Sequence, residues 1–178
     1  GGDYWSTVTR EPAALEAPET IGEEAARRAL RRLGAKQLTT RVAPVIFPAE
    51  LARGLFGHLV GAIRGTAQYR RASFLLGAAG TKVFPQFVQI DEDPLIPRAP
   101  GSAPFNAEGV ATRRQPLVTA GVLTRYVLSS YSARRLGLAT TANAGCVHNL
   151  TLPPTAGGLK DLIASSDAAF VVGELLGQ

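Results

Sequence analysis

The chain has 178 residues, 46% of them hydrophobic and 19% charged, with a formal charge of +5 and a pI of about 9.9. These proportions suit one soluble globular domain with a sizeable core, and no internal repeat or low-complexity tract appears. No apolar run approaches the roughly 20 residues that cross a bilayer, and no signal-peptide pattern is present. The lone cysteine, Cys146, excludes an internal disulfide and fits a reducing cytosol. The basic balance permits contact with nucleic acid or an acidic partner without requiring either.

In chain order, residues 3–17 begin as a strand-like aromatic and β-branched run and become a polar linker. Pro18 to Leu33 reads as a helix, with Pro18 in its first turn, acidic residues early, arginines late and Gly34 closing it. Ile21, Ala25, Ala29 and Leu33 form its inward stripe. Arg27, Arg28, Arg31 and Arg32 face outward, with Glu23–Arg27 and Glu24–Arg28 as ion pairs one turn apart. That arginine face suits a nucleic-acid or acidic partner, but no aromatic platform accompanies it, and a solvated face explains it more simply.

Gln37 to Phe47 reads as a strand that Pro44 breaks or places at an edge. The stretch that organises the chain follows. Leu51, Leu55, Leu59 and Ile63 recur every four residues, so Pro48 to Gly65 reads as a mostly buried helix. Gly54, Gly57 and Gly61 each cost it about 1 kcal/mol against alanine, which predicts another backbone pressed against their face, with His58 in its middle. The run after Gly65 continues as a second helix or a loop and holds the aromatic–basic cluster Tyr69, Arg70 and Arg71.

Val83 to Ile90 reads as a strand ending in Asp91, Glu92 and Asp93. Three adjacent carboxylates suit a hard cation, but without a second ligand group they read as an acidic strand end. Residues 94–109 hold four prolines and two glycines and form an irregular connector. Pro116 to Ser129 is a hairpin turning at Thr119-Ala120-Gly121. Ser130 caps a short helix that Gly137 ends. Residues 147–152 are a strand, Leu159 to Ser165 a short helix, and Phe170 to Leu176 a buried strand. The fold class is α+β: one mixed or antiparallel sheet with helices packed on it.

Three passages carry a family resemblance: GLFGHLVGAIRGTAQYRRASFLL from Gly54, SAPFNAEGV from Ser102, and SSYSARRLGLATTANAGCVHNLTL from Ser129. They resemble the PmbA/TldE branch of the TldD/PmbA family, long described as modulators of DNA gyrase. The branch shows a glycine where Cys146 stands. The resemblance covers essentially the whole chain, while family members continue on both sides. It therefore implies the central to C-terminal part of a larger two-domain protein, read here as one α+β region, 1–178, truncated at both ends. It also implies a bacterial or archaeal cytosolic proteolytic system in which a TldD-type subunit pairs with a TldE-type one. Such systems are linked to maturing peptide antibiotics and degrading a toxin's antidote.

The TldD type carries a zinc motif, HExxxH, on the helix that corresponds to Pro48–Gly65. Laid on that motif by its flanking Leu and Gly residues, the chain has Phe56 and Gly61 at the histidine positions and Gly57 at the glutamate. None of these binds zinc or activates water. The resemblance thus implies a zinc-less subunit, zinc residing on a TldD-type partner in a heterodimer, or alternatively a homodimer. The role that the resemblance implies for it is to complete or close the peptide chamber of a TldD-type partner.

The residues leave other readings open. His58, Cys146 and His148 suggest a three-ligand metal site or, with Cys146 and His148 on one strand face, a Cys–His dyad in a stand-alone hydrolase. Packed histidines are the plainer reading. Tyr69, Arg70, Ser130, Tyr131, Asn143 and Asn149 are candidates for a groove that adds an extended peptide to a sheet edge, although asparagines often only satisfy turns. A gyrase-associated or nucleic-acid-binding regulator acting through the Arg27–Arg32 face is a further alternative.

Overall fold

The computed structural model describes residues 2–155, 157–166 and 168–174. Where composition marks no boundary, the folded chain divides into two compact units, Gly1–Val42 with Pro97–Pro100, and Ala43–Ile96 with Gly101–Gln178.

In the first unit, exposed and half-buried residues alternate from Gly2 to Arg10, the period of an extended chain, but no strand pairs with it among the described residues. A single 3-10 turn, Pro12–Ala14, leads to α1, Pro18–Arg31, with proline in its first turn as expected. Ile21, Ala25 and Ala29 are half-buried, whereas Leu33 is exposed and lies past the helix end. The arginine face is more self-paired than the sequence suggests. Glu24 receives Arg27 at 2.5 Å and Arg28 at 3.1 Å, and Arg28 stacks 4.3 Å from the Trp5 ring centre rather than facing outward. Asp3 holds Arg32 at 3.1 Å.

The second unit starts with β1, Val45–Ile46, which pairs in parallel with β6, Phe170–Val171. The longer strand expected over Gln37–Phe47 does not form: residues 36–42 are exposed, and ladder pairing begins only after Pro44, whose carbonyl accepts from the Phe170 N–H. The strand expected to reach Leu176 is likewise short, and residues 175–176 lie outside those described.

Helix α2, Ala49–Ile63, is capped by Pro48, whose carbonyl accepts from the Leu51 and Ala52 N–H groups. Only one face is buried, at Leu59, Val60, Ala62 and Ile63. Gly54, Gly57, His58 and Gly61 are exposed, and a Cβ built on any of the three glycines meets nothing within 4 Å. The expectation that these glycines admit a neighbouring backbone is therefore wrong within this chain. The close approach is at Gly65 instead. There α2 stops at an extended Arg64, and α3, Gly65–Tyr69, turns away. A Cβ on Gly65 would lie 2.4 Å from the Ser132 Cβ.

A four-stranded antiparallel sheet follows, in the order β4-β3-β2-β5. Its strands are β2, Ile90–Asp93; β3, Gln115–Thr119; β4, Val122–Leu123; and β5, Asn149–Thr151. The hairpin turns where expected, with Ala120 and Gly121 both at positive φ. The strand expected over Val83–Ile90 is absent up to its last residue. Val83 and Phe84 donate to the Gly121 carbonyl and Val88 accepts from Gly121 N–H, so the segment wraps the hairpin tip. Gly121 is required there, because a Cβ would come 2.2 Å from the Phe84 carbonyl oxygen. The acidic triplet is consequently inside β2, not beyond a strand end.

Helix α4, Ser130–Leu136, is capped by Ser129 rather than Ser130, in a reciprocal box with Ser132, and ends at left-handed Gly137. Helix α5, Leu159–Ala164, lies where expected. The core gathers Ile63, Ile90, Leu117, Val118, Leu123, Val127 and Leu128 between α2 and the sheet. Among the described residues no helix is long and apolar enough to cross a membrane.

Candidate functional site

Strand alternation in β2 sends Ile90 and Glu92 inward and leaves Asp91 and Asp93 half-buried. Glu92 is 1% exposed, which is costly for a carboxylate unless donors surround it. They do. Its Oε1 accepts from Asn143 Nδ2 at 2.7 Å, the His148 backbone N–H at 2.7 Å and His148 Nδ1 at 2.9 Å. Its Oε2 accepts from Arg125 Nη2. Arg125 also donates to Asn143 Oδ1 at 3.1 Å, closing the ring. Burial alone would raise the Glu92 pKa; the His148 N–H and the Arg125 charge outweigh it and hold the carboxyl below its usual range. Burial likewise lowers the Arg125 pKa, with Glu92 offsetting part of the effect.

Because ionised Glu92 only accepts, His148 Nδ1 carries the proton of their hydrogen bond. His148 also lines a groove of about 560 Å³. Val147, His148, Leu150 and Leu152 form one wall. Helix α2 forms the other wall with Phe56, Gly57, Val60 and Gly61, and Arg53 and Arg64 belong to the lining as well. β5 is the outer strand, so the groove lies at the rim of the sheet. Among the described residues no acid, thiol or second imidazole shares this lining with His148, and an imidazole so placed offers a hydrogen bond.

The residues singled out in the sequence scatter. His58 is exposed on α2 and lines a separate opening with Gly57, Gly61 and Phe74. Cys146 is exposed, His148 is buried, and β5 begins only at Asn149, so the two do not share a strand face. Among the described residues no three His, Cys, Asp or Glu side chains converge as metal ligands, so His58, Cys146 and His148 form no common site. Of the motif positions, Phe56 packs on the core, while Gly57 and Gly61 border the groove.

The candidate peptide residues divide. Tyr69 and Tyr131 meet edge to face at 5.9 Å, with Arg70 and Arg135 near the Tyr69 ring. The Ser130 N–H donates to Glu108, and the Ser130 side chain, followed by this N–H, holds that carboxyl below its usual range. Asn149 is consumed in holding the connector, bonding Asp93 and Ser102 and accepting from the Gly101 N–H. Asn143 lines a smaller cleft with Arg64, Ser129, Ser132 and Cys146, its amide engaged by Glu92 and Arg125. None of the six lines the α2–β5 groove.

Sequence reasoning took Glu92 only as part of an acidic strand end and missed its partner Arg125 and the groove arginines. A signal for Glu92 was present: in Ile-Asp-Glu-Asp, period two places the glutamate on the isoleucine's face. Arg125 sat similarly among alternating hairpin residues, and only the fold shows that the two meet.

Residues 40–178 match the family model described as the PmbA/TldA metallopeptidase C-terminal domain. The chain is 43% identical over 176 residues to the metalloprotease PmbA of Escherichia coli O157:H7, a match covering 99% of the chain and 39% of that relative. It spans about two fifths of the curated relatives it matches. Among solved structures, a candidate modulator of DNA gyrase from Thermotoga maritima superposes with a TM-score of 0.87 at 28% identity, covering 99% of this chain and 42% of that one. TldE from Thermococcus kodakarensis shares the fold, with a TM-score of 0.73 at 24% identity over 86% of this chain and 37% of its own. With the match to the family model and the resemblance of three separate passages, the chain belongs to the PmbA/TldD metallopeptidase family.

Proposed function

We propose that this chain is part of a TldE/PmbA-type subunit that pairs with a zinc-bearing TldD-type subunit in the cytosol and forms one wall of its peptide chamber. The observation that carries the reading is the α2–β5 groove. The helix that the resemblance equates with the zinc-motif helix lines a groove at an open sheet rim, where an extended peptide can lie.

The helix does not supply the motif in any of the three registers that its residues allow. With Phe56 and Gly61 as the histidine equivalents, the first packs on the core. Shifted by three residues, His58 fills the second histidine position, but Arg53 and Gly54 stand where imidazole and carboxylate are needed. Shifted by two residues the other way, His58 fills the first histidine position, but Leu59 and Ile63 stand where carboxylate and the second imidazole are needed, so each register leaves this helix short of a zinc-binding set. Peptide positioning is what remains for it.

The test is co-purification of the full-length protein with a TldD-type subunit, followed by peptide-cleavage assays on each alone and on the pair. The reading expects a stable pair, cleavage by the pair, and none by this protein alone. Chelator-sensitive cleavage by this protein alone, or failure to associate with the TldD-type subunit, overturns it. The rival reading of a nucleic-acid-binding regulator is disfavoured by α1, where Glu24, Trp5 and Asp3 already engage its arginines.

A further inference from the structure

The groove is not neutral. Among the described residues, five that line it, Phe56, Val60, Val147, Leu150 and Leu152, are large and apolar, the two charged ones are both arginines, and no carboxylate lines it. Arg53 and Arg64 are exposed, and neither is joined to a carboxylate among the described residues. The placement of Arg64 is fixed. The Val127 N–H donates to the Ile63 carbonyl and the Gly65 N–H to the Val127 carbonyl, clamping the backbone on both sides of the helix break. Arg64 borders both the groove and the smaller cleft.

From these features we propose that the groove selects an acidic peptide: an extended segment with two side-chain carboxylates bracketing apolar residues. This rests on the peptide-groove reading above and adds its specificity. Along α2, eleven positions at a rise of about 1.5 Å per residue separate Arg53 from Arg64 by about 16 Å. An extended strand covers that distance in about five residues at roughly 3.3 Å each. A single terminal carboxylate serves one guanidinium only, whereas two Asp or Glu side chains about five residues apart meet both. The apolar walls take side chains between them, and His148, steadied by Glu92, offers a polar contact in the wall. Guanidinium forks suit carboxylates geometrically as well as by charge.

The experiment is fluorescence anisotropy on the full-length protein with labelled, C-terminally amidated six-residue peptides. Their four middle residues are apolar, and both ends carry Asp, Asn or Lys. The Asp peptide is expected to bind about tenfold more tightly than the Asn peptide, in keeping with two partly solvated charged contacts, and the gap is expected to shrink with added salt. Because both arginines are exposed, the double variant R53E/R64E folds and is expected to prefer the Lys peptide. Equal binding of all three peptides, weakened by Leu152→Asp in the groove wall, overturns the acidic specificity and leaves the peptide groove standing. Absence of binding by every peptide overturns both. An Asp preference unchanged in R53E/R64E also overturns the proposal, since the selecting charge would then lie elsewhere.

Discussion

Arg125 and Arg64 belong to the same folded unit and answer opposite demands. Arg125 is nearly sealed, with a 13% exposed side chain, and is matched by Glu92, Asn143 and the Tyr126 carbonyl. Arg64 stands exposed on a clamped backbone with no carboxylate attached among the described residues. A buried charge is kept only when every donor and acceptor around it is used, and such a group then serves the fold. A fixed, solvated charge beside an apolar groove costs the fold little and is available to a ligand. The two clusters touch through His148, which donates to Glu92 and also lines the groove.

The strongest way to break this contrast is Glu92→Gln. The substitution keeps the shape but leaves Arg125 without its counter-charge and gives His148 Nδ1 a neutral acceptor. A loss of about 3–5 kcal/mol is expected, read by urea unfolding at neutral pH. A loss under about 1 kcal/mol would show that water reaches the cluster. The pH dependence sharpens the point. Glu92 titrates below the usual carboxylate range when folded and returns to it on unfolding. Its contribution is complete above that range and disappears as pH falls through the folded value. The variant has no such proton to take up, so the stability gap between wild type and Glu92→Gln is expected to narrow on acidification.

Gly65→Ala comes next. A methyl there collides with the Ser132 Cβ and hydroxyl and with Leu128, and Ser132 is tied into the cap of α4. Overpacking of this kind costs about 1–3 kcal/mol. Pairing the change with Ser132→Gly makes room, and recovery in the double variant would assign the loss to that contact rather than to helix propensity.

What was legible in the sequence follows from locality. Helix starts and stops depend on neighbours in the chain, so Pro18, Pro48, Gly137 and the Ala120–Gly121 turn declared themselves. The strands fared worse because a strand is defined by its partner. Val83–Val88 has strand-like composition but spends its hydrogen bonds on a hairpin tip, and among the described residues no strand pairs with residues 37–42. The site was least legible for the same reason. Glu92 meets Arg125 and His148 across 33 and 56 positions, and no local pattern announces such meetings. Histidines and cysteine attracted attention as ligands, while the arginines that line the groove carry no motif at all.

The smallest expected effect separates the groove from the fold most sharply. Gly57→Ala adds a methyl where nothing lies within 4 Å, on the exposed face of α2. Alanine is favoured over glycine inside a helix by up to about 1 kcal/mol, so thermal or urea unfolding of the protein should show equal or slightly greater stability. Gly57 also borders the groove, where the same methyl takes up space that a peptide would use. A variant that is no less stable yet binds the Asp peptide more weakly would show that three glycines remain on this helix for what lies against it rather than for its own folding. If stability falls instead, the bare face of α2 is covered in the full-length protein, and the groove is narrower there than in this chain.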